Sequence, residues 1–171
     1  MLGTPIETFR IADILDRGEG SRKMKAAASA FVENPSSYLS IWGTNGNGKS
    51  LTAKAITCEL IRRGTATIYV TAHDMMAYVK AGIENDFSVD DRVSKLASVE
   101  VLCVDELTQV RWTDFVTEKI ETILDRRYAA RLGTVLVMDE NPTQELHRRL
   151  VSRMKSGTII ENNDKDMRPL L

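Results

Sequence analysis

Eight residues constrain this chain more than any others: Gly43-Thr44-Asn45-Gly46-Asn47-Gly48-Lys49-Ser50. They follow the spacing G-x-x-x-x-G-K-[ST], with an apolar run, Tyr38 to Trp42, before them and a helical pattern, Leu51 to Arg63, after them. A glycine-rich turn between a strand and a helix curls so that its N–H groups point inward, and the helix N-terminus adds partial positive charge. Such a turn holds phosphate. In that frame Lys49 reaches the terminal phosphates of a nucleotide and Ser50 ligates Mg2+. Leu51 opens the helix behind the cradle.

Further strands are expected at Thr67–Thr71, Val99–Val104, Thr134–Met138 and Thr158–Ile160. Helices are expected from Ser21 to Val32, from Asp74 to Lys80, around Val93–Ala97, from Thr113 to Arg131 and from Pro142 onward. In the long helix Val116, Ile120, Ile123, Leu124 and then Arg127 or Tyr128 recur at three- and four-residue steps, which marks its inner face. Strands alternating with helices imply a parallel sheet covered on both sides.

Val101-Leu102-Cys103-Val104 is followed by Asp105-Glu106. A buried strand delivers both carboxylates at its C-terminal end, where doubly wound sheets bind ligands. Asp105 would hold the Mg2+ shell and Glu106 would orient and deprotonate water. The adjacent acids favour a hydrolase over a small-molecule kinase.

Composition narrows the classes further. The chain has 171 residues, 43% hydrophobic and 27% charged, which fits one globular domain. Its 23 Lys+Arg against 24 Asp+Glu leave a net charge of -1, so any nucleic-acid contact must come from a local patch. Cys58 and Cys103 lie in apolar runs without metal-site spacing and are expected to be buried free thiols. No apolar run approaches the ~18 residues of a membrane span, and the first residues do not read as a signal peptide. A cytoplasmic protein is therefore expected.

These motifs, with Ile68-Tyr69-Val70-Thr71-Ala72-His73-Asp74, Asp125-Arg126-Arg127-Tyr128, Arg149-Leu150-Val151-Ser152-Arg153-Met154 and Asp166-Met167-Arg168, resemble AAA+ ATPases of the DnaC/IstB type. That group comprises replicative helicase loaders of bacteria and phages and related transposition helpers. The resemblance covers about Phe9 to Arg168. It implies an α/β, three-layer P-loop core with a five-stranded parallel sheet in order 5-1-4-3-2 and no C-terminal lid domain. Residues 1–171 would be one ATPase domain, 1–36 a lead-in with the first helix and 37–171 the P-loop core. The family's helicase-gripping N-terminal region is not evident before the P-loop, so partner contact is expected outside this stretch or on another surface.

The resemblance also implies ATP and ADP as ligands, ATP hydrolysis, a replicative DNA helicase and single-stranded DNA as partners, and self-association into a ring or spiral. Asn141 matches the polar sensor near the γ-phosphate, although Asp139 and Glu140 stand where Thr or Ser is usual. An alternative is that Asn141 caps the helix that Pro142 opens. Arg153 matches the arginine finger that acts on a neighbour's ATP, with Arg148 and Arg149 as competitors. Arg168 matches the second sensor arginine.

Two segments match the family's DNA-contacting loops. One offers Tyr78, Lys80, Ile83 and Phe87; the other offers Arg111, Trp112, Thr113 and Phe115. Aromatics among cations suit sequence-tolerant stacking, while Met75, Met76 and Val79 also read as a core stripe and Trp112 as a subunit contact. His73 and His147 read as structural or exposed. The rivals are an IstB-like transposition helper binding target DNA, a P-loop nucleotide kinase and a nucleotide-gated scaffold with little turnover.

Overall fold

In the computed structural model, which describes residues 9–83 and 88–166, the elements run α1 (Glu19–Glu33), β1 (Tyr38–Gly43), α2 (Lys49–Arg62), β2 (Thr67–Thr71), α3 (Ala72–Lys80), α4 (Val89–Ser98), β3 (Val101–Asp105), α5 (Asp114–Ala129), β4 (Gly133–Met138), α6 (Pro142–Glu145), α7 (Arg148–Lys155) and β5 (Thr158–Asn162). The strands form one sheet in the order β2-β3-β4-β1-β5, which is the expected 5-1-4-3-2 read from the other edge. Every neighbouring pair is parallel.

The two-residue period of the strands sorts side chains between two cores. Leu102, Val104, Leu136 and Met138 face α3, α4, α5 and α7. Leu39, Ile41, Val101, Cys103, Val135 and Val137 face α1 and α2. The central strands β3 and β4 are buried along their whole length, as a sheet covered on both faces requires. Cys58 and Cys103 are free and buried.

Local chemistry moves several boundaries. α1 begins at Glu19, earlier than expected, and Ser21 sits one turn inside it. From there its hydroxyl accepts the N–H of Arg17 at 2.8 Å and of Gly18 at 3.0 Å. β3 starts at Val101 because Val99 still caps α4, its N–H reaching the Lys95 carbonyl at 3.3 Å. The helix opened by Pro142 lasts one turn, and α7 is a separate helix that starts after His147. β5 extends past Ile160 to Asn162.

On α5, Arg127 rather than Tyr128 points inward, fully buried. Its guanidinium donates to Thr134 Oγ1 at 3.0 Å, to the carbonyls of Leu96 at 3.0 Å and Val99 at 2.7 Å, and to Gly133 O at 2.5 Å. Burial pushes its pKa down to about 10, which leaves it charged at neutral pH. The single arginine ties the end of α4 to the starts of β3 and β4 by donating to carbonyls from each.

Candidate nucleotide site

The loop from Gly43 to Gly48 leaves β1 at the sheet's C-terminal edge and enters α2. Gly43, Gly46 and Gly48 have φ of 140°, 75° and 91°, the left-handed region that only glycine enters without strain. Lys49 is buried, 4% exposed, and its side chain folds back into the loop. Its ammonium donates to the carbonyls of Gly43 at 2.8 Å and Thr44 at 2.7 Å and pairs with Asp139 Oδ1 at 3.0 Å. Ser50, one residue on, is exposed.

The loop is held from behind by the end of β5. Asn47 Nδ2 donates to the Asn162 carbonyl, and Asn162 Nδ2 donates back to the Asn47 carbonyl at 3.1 Å. Asn162 is completely buried, and its side-chain oxygen also accepts the Asp164 N–H at 2.9 Å. Asp164 in turn accepts the N–H groups of Gly20 at 3.2 Å and Ser21 at 2.7 Å at the start of α1. Partial burial raises the Asp164 pKa, but those donors outweigh it and hold the carboxyl below its usual value. Sequence reading missed Asn162; its only signal was the pair Asn162-Asn163 shortly after the short strand pattern Thr158-Ile159-Ile160.

Asp105 ends β3 with 3% exposure. One carboxylate oxygen accepts the Tyr69 hydroxyl from β2, and the other accepts the Glu106 N–H at 2.9 Å. Burial first, and then the Asp105 carboxylate, push the Tyr69 phenol pKa upward, so the hydroxyl stays a donor. Glu106 is exposed with φ of 56°. A non-glycine residue in that conformation costs of order 1 kcal/mol or more and is typical of functional positions.

The ends of three strands meet here. Asp139, one residue past β4, contacts Lys49 after β1 and accepts from Gln109 Nε2, just after β3, at 3.1 Å. With its amide nitrogen turned toward Asp139, Asn45 donates to that carboxylate at 2.6 and 3.0 Å. Asn141 caps α6, its side-chain oxygen accepting from Thr143 N at 3.0 Å and Thr143 Oγ1 at 2.7 Å. The acid that the sequence left without a role is thus the one against the loop.

The donor set suits Mg2+. Ser50 and Asp105 offer hard oxygens, and each Asp105 oxygen keeps a lone pair beyond its one protein donor. No group of three or more His, Cys, Asp or Glu residues that could hold a metal occurs among the described residues. Mg2+ itself characteristically takes one or two protein oxygens, with phosphate oxygens and water completing its shell.

Arg153 lies elsewhere. Its Nε donates to Asp125 Oδ1 at 3.0 Å and its guanidinium stacks 4.3 Å from the Tyr128 ring centre. Arg149 Nη2 pairs with the second oxygen of Asp125 at 2.7 Å. α7 and α5 both run back toward the N-terminal ends of the strands they precede, so this cluster sits at the sheet edge opposite the P-loop. Arg148 is exposed on the same helix. Arg168 and Phe87 lie outside the described residues.

In the two loop segments, Tyr78, Trp112 and Phe115 are half-buried against the α3–α5 core. Arg92 covers the Tyr78 ring at 4.7 Å and Lys119 lies 5.5 Å from the Phe115 centre. Met75, Met76 and Val79 are core residues. Thr113 caps α5, accepting from Val116 N at 3.3 Å. Lys80, Ile83, Arg111 and Thr113 are exposed. His73 is exposed, and the exposed His147 bonds to Glu121 at 2.9 Å.

The chain is 28% identical over 150 residues to the replicative helicase loader DnaC of Escherichia coli K12, covering 83% of this chain and 61% of that protein. The chain therefore spans under two thirds of the length of that curated relative. Its fold superposes with a TM-score of 0.79 on the replication initiator DnaA bound to AMPPCP and single-stranded DNA, at 24% identity over 90% of this chain and 49% of that one. Against the DnaC helicase loader crystal structure the TM-score is 0.71, at 18% identity over 90% and 96% of the two chains. These likenesses to solved structures are of fold alone. The family model for IstB-like ATP binding proteins matches residues 9–150, and the chain belongs to that family.

Proposed function

We propose that this chain is the ATPase core of a replicative helicase loader, acting as one unit in which residues 37–171 form the P-loop core and 1–36 its lead-in. The observation that carries the reading is the convergence at one sheet edge of a lysine-bearing phosphate loop, a buried aspartate and an exposed, backbone-strained glutamate. The loop N–H groups and Lys49 bind the phosphates of ATP or ADP. Ser50 and, directly or through water, Asp105 would hold Mg2+, which when bound would supply positive charge to the phosphates. Glu106 orients the attacking water and takes its proton. Asn141 stands one turn from the same edge and is the proposed sensor; Arg168 is the proposed second sensor.

Arg153 is too far from its own P-loop edge to serve it, which supports a role on a neighbour's nucleotide within a ring or spiral. Lys80 and Arg111 are exposed cations proposed to meet single-stranded DNA, and Tyr78, Phe87, Trp112, Thr113 and Phe115 are proposed as its further contacts. The helicase partner follows from the likeness to DnaC. No helix among the described residues is long and apolar enough to cross a membrane, which accords with work on DNA in the cytoplasm.

The test uses the purified chain, the replicative helicase of the same host and single-stranded DNA. ATP-dependent co-migration with the helicase and DNA-stimulated turnover are expected, both lost in Lys49→Ala. Phosphate transfer to a nucleoside monophosphate would revive the kinase. Turnover with duplex-DNA binding and no helicase association would favour the transposition helper.

A further inference from the structure

The ammonium of Lys49 has three hydrogens and no more. At close range they are taken by two loop carbonyls, Gly43 O at 2.8 Å and Thr44 O at 2.7 Å, and by the Asp139 carboxylate at 3.0 Å, with Asn47 Oδ1 farther off at 3.5 Å. A phosphate oxygen that engages Lys49 must therefore replace one of these acceptors. The carbonyls belong to the loop itself, so the contact open to exchange is Asp139.

The carboxylate does not depend on Lys49 to stay where it is. Gln109 donates to it at 3.1 Å, and the Asn45 amide, with its nitrogen turned toward the carboxylate, at 2.6 and 3.0 Å. Both partners are neutral. When Lys49 turns to a phosphate, these donors keep the negative charge of Asp139 seated at the mouth of the loop. Like charges a few ångströms apart in a partly buried site repel, and Asp139 is only 26% exposed.

We propose that Asp139 is a resident anionic competitor of the nucleotide: its carboxylate holds the P-loop lysine and opposes the terminal phosphates, so that it sets nucleotide affinity and penalises the triphosphate more than the diphosphate. The proposal rests on Lys49 being the phosphate ligand. The bias against ATP follows from charge, since the triphosphate brings one more negative charge to the same place. Asp139 is a specificity-determining residue in this scheme, and it takes no part in the chemical step.

The experiment is a titration of wild type, Asp139→Asn and Asp139→Ala with fluorescent ATP and ADP analogues in Mg2+, with Lys49→Ala as control and circular dichroism to confirm folding. Removing the charge is expected to tighten ATP binding about tenfold and ADP binding less. The alanine variant, which brings no new donor, should move in the same direction. Unchanged affinity in both variants overturns the proposal, and so does weaker ATP binding, which would make Asp139 a ligand of the nucleotide or its metal. Normal affinity with lost turnover would also overturn it, in favour of a catalytic role. If wild type and Lys49→Ala bind ATP equally poorly, the phosphate-loop reading fails and takes this proposal with it.

Discussion

Asp105 and Glu106 show how two adjacent acids acquire different tasks. Asp105 is the last residue of a buried strand, locked by the Tyr69 hydroxyl and the Glu106 N–H. Glu106 is turned out of the sheet by its left-handed backbone and left exposed. Glu106→Gln should bind ATP within a few-fold of wild type and lose about 10²–10⁴ in turnover, because the amide keeps the shape and lacks the base. Steady-state phosphate release beside a nucleotide titration checks both halves. Hydrolysis within a few-fold of wild type would remove Glu106 from the catalytic role.

At the level of elements, the P-loop depends on β5. Gly43 pairs with Asn162 in the parallel ladder, and a Cβ at Gly43 would be driven into the Asn162 carbonyl. Gly43→Ala should therefore cost about 1–3 kcal/mol of stability by overpacking and weaken ATP binding, since the loop can no longer lie against β5. Asn162→Ala strips the donor from the Asn47 carbonyl and the acceptor from Asp164 N, and should cost a similar ~1–3 kcal/mol. Urea midpoints and nucleotide affinities of the two variants test this. If Asn162→Ala is as stable as wild type, the reciprocal amide clamp does not hold the loop.

For the whole molecule, the position of Arg153 predicts behaviour that no single chain displays. Arg153→Ala should bind ATP nearly normally and hydrolyse it poorly, while its own Lys49, Ser50, Asp105 and Glu106 remain intact. Mixed with Glu106→Gln, it should regain activity, because its catalytic acid borrows the neighbour's arginine. A flat ATPase profile across the titration, with mixed assembly shown by cross-linking, would place Arg153 in a role within its own chain. Stability at alkaline pH is a second global property. Burial pushes the Cys103 thiol from 9.0 up to about 12, although Thr57 opposes the shift. Burial likewise lifts the Tyr38 phenol from 10.0 to about 12. Above pH 9 the unfolded chain releases the Cys103 proton and the folded one keeps it, so stability falls as pH rises, by about 1.4 kcal/mol per pH unit for each such group. Urea unfolding between pH 8 and 10.5 should show this decline, shallower in Cys103→Ala; equal slopes would place the loss elsewhere.

The sequence alone determined the phosphate loop, the order of strands and helices and the paired acids, because each is written in contiguous residues with a fixed period or spacing. Tyr38–Gly43, the loop and Lys49–Arg62 are one local unit, and local units are legible from local chemistry. Only the tertiary structure decided the rest. On α5 the three- and four-residue steps allowed Arg127 or Tyr128 on the inner face. Hydrophobicity favours the tyrosine, yet the arginine goes in, because carbonyls from the end of α4 and the start of β4 meet there and need donors. Asn162 and Asp139 were silent for the same reason. Asn162 is 115 residues from the Asn47 it clamps. Asp139 meets Lys49 only once β4 is laid beside β1, and no spacing along the chain encodes a contact made by the closure of a sheet.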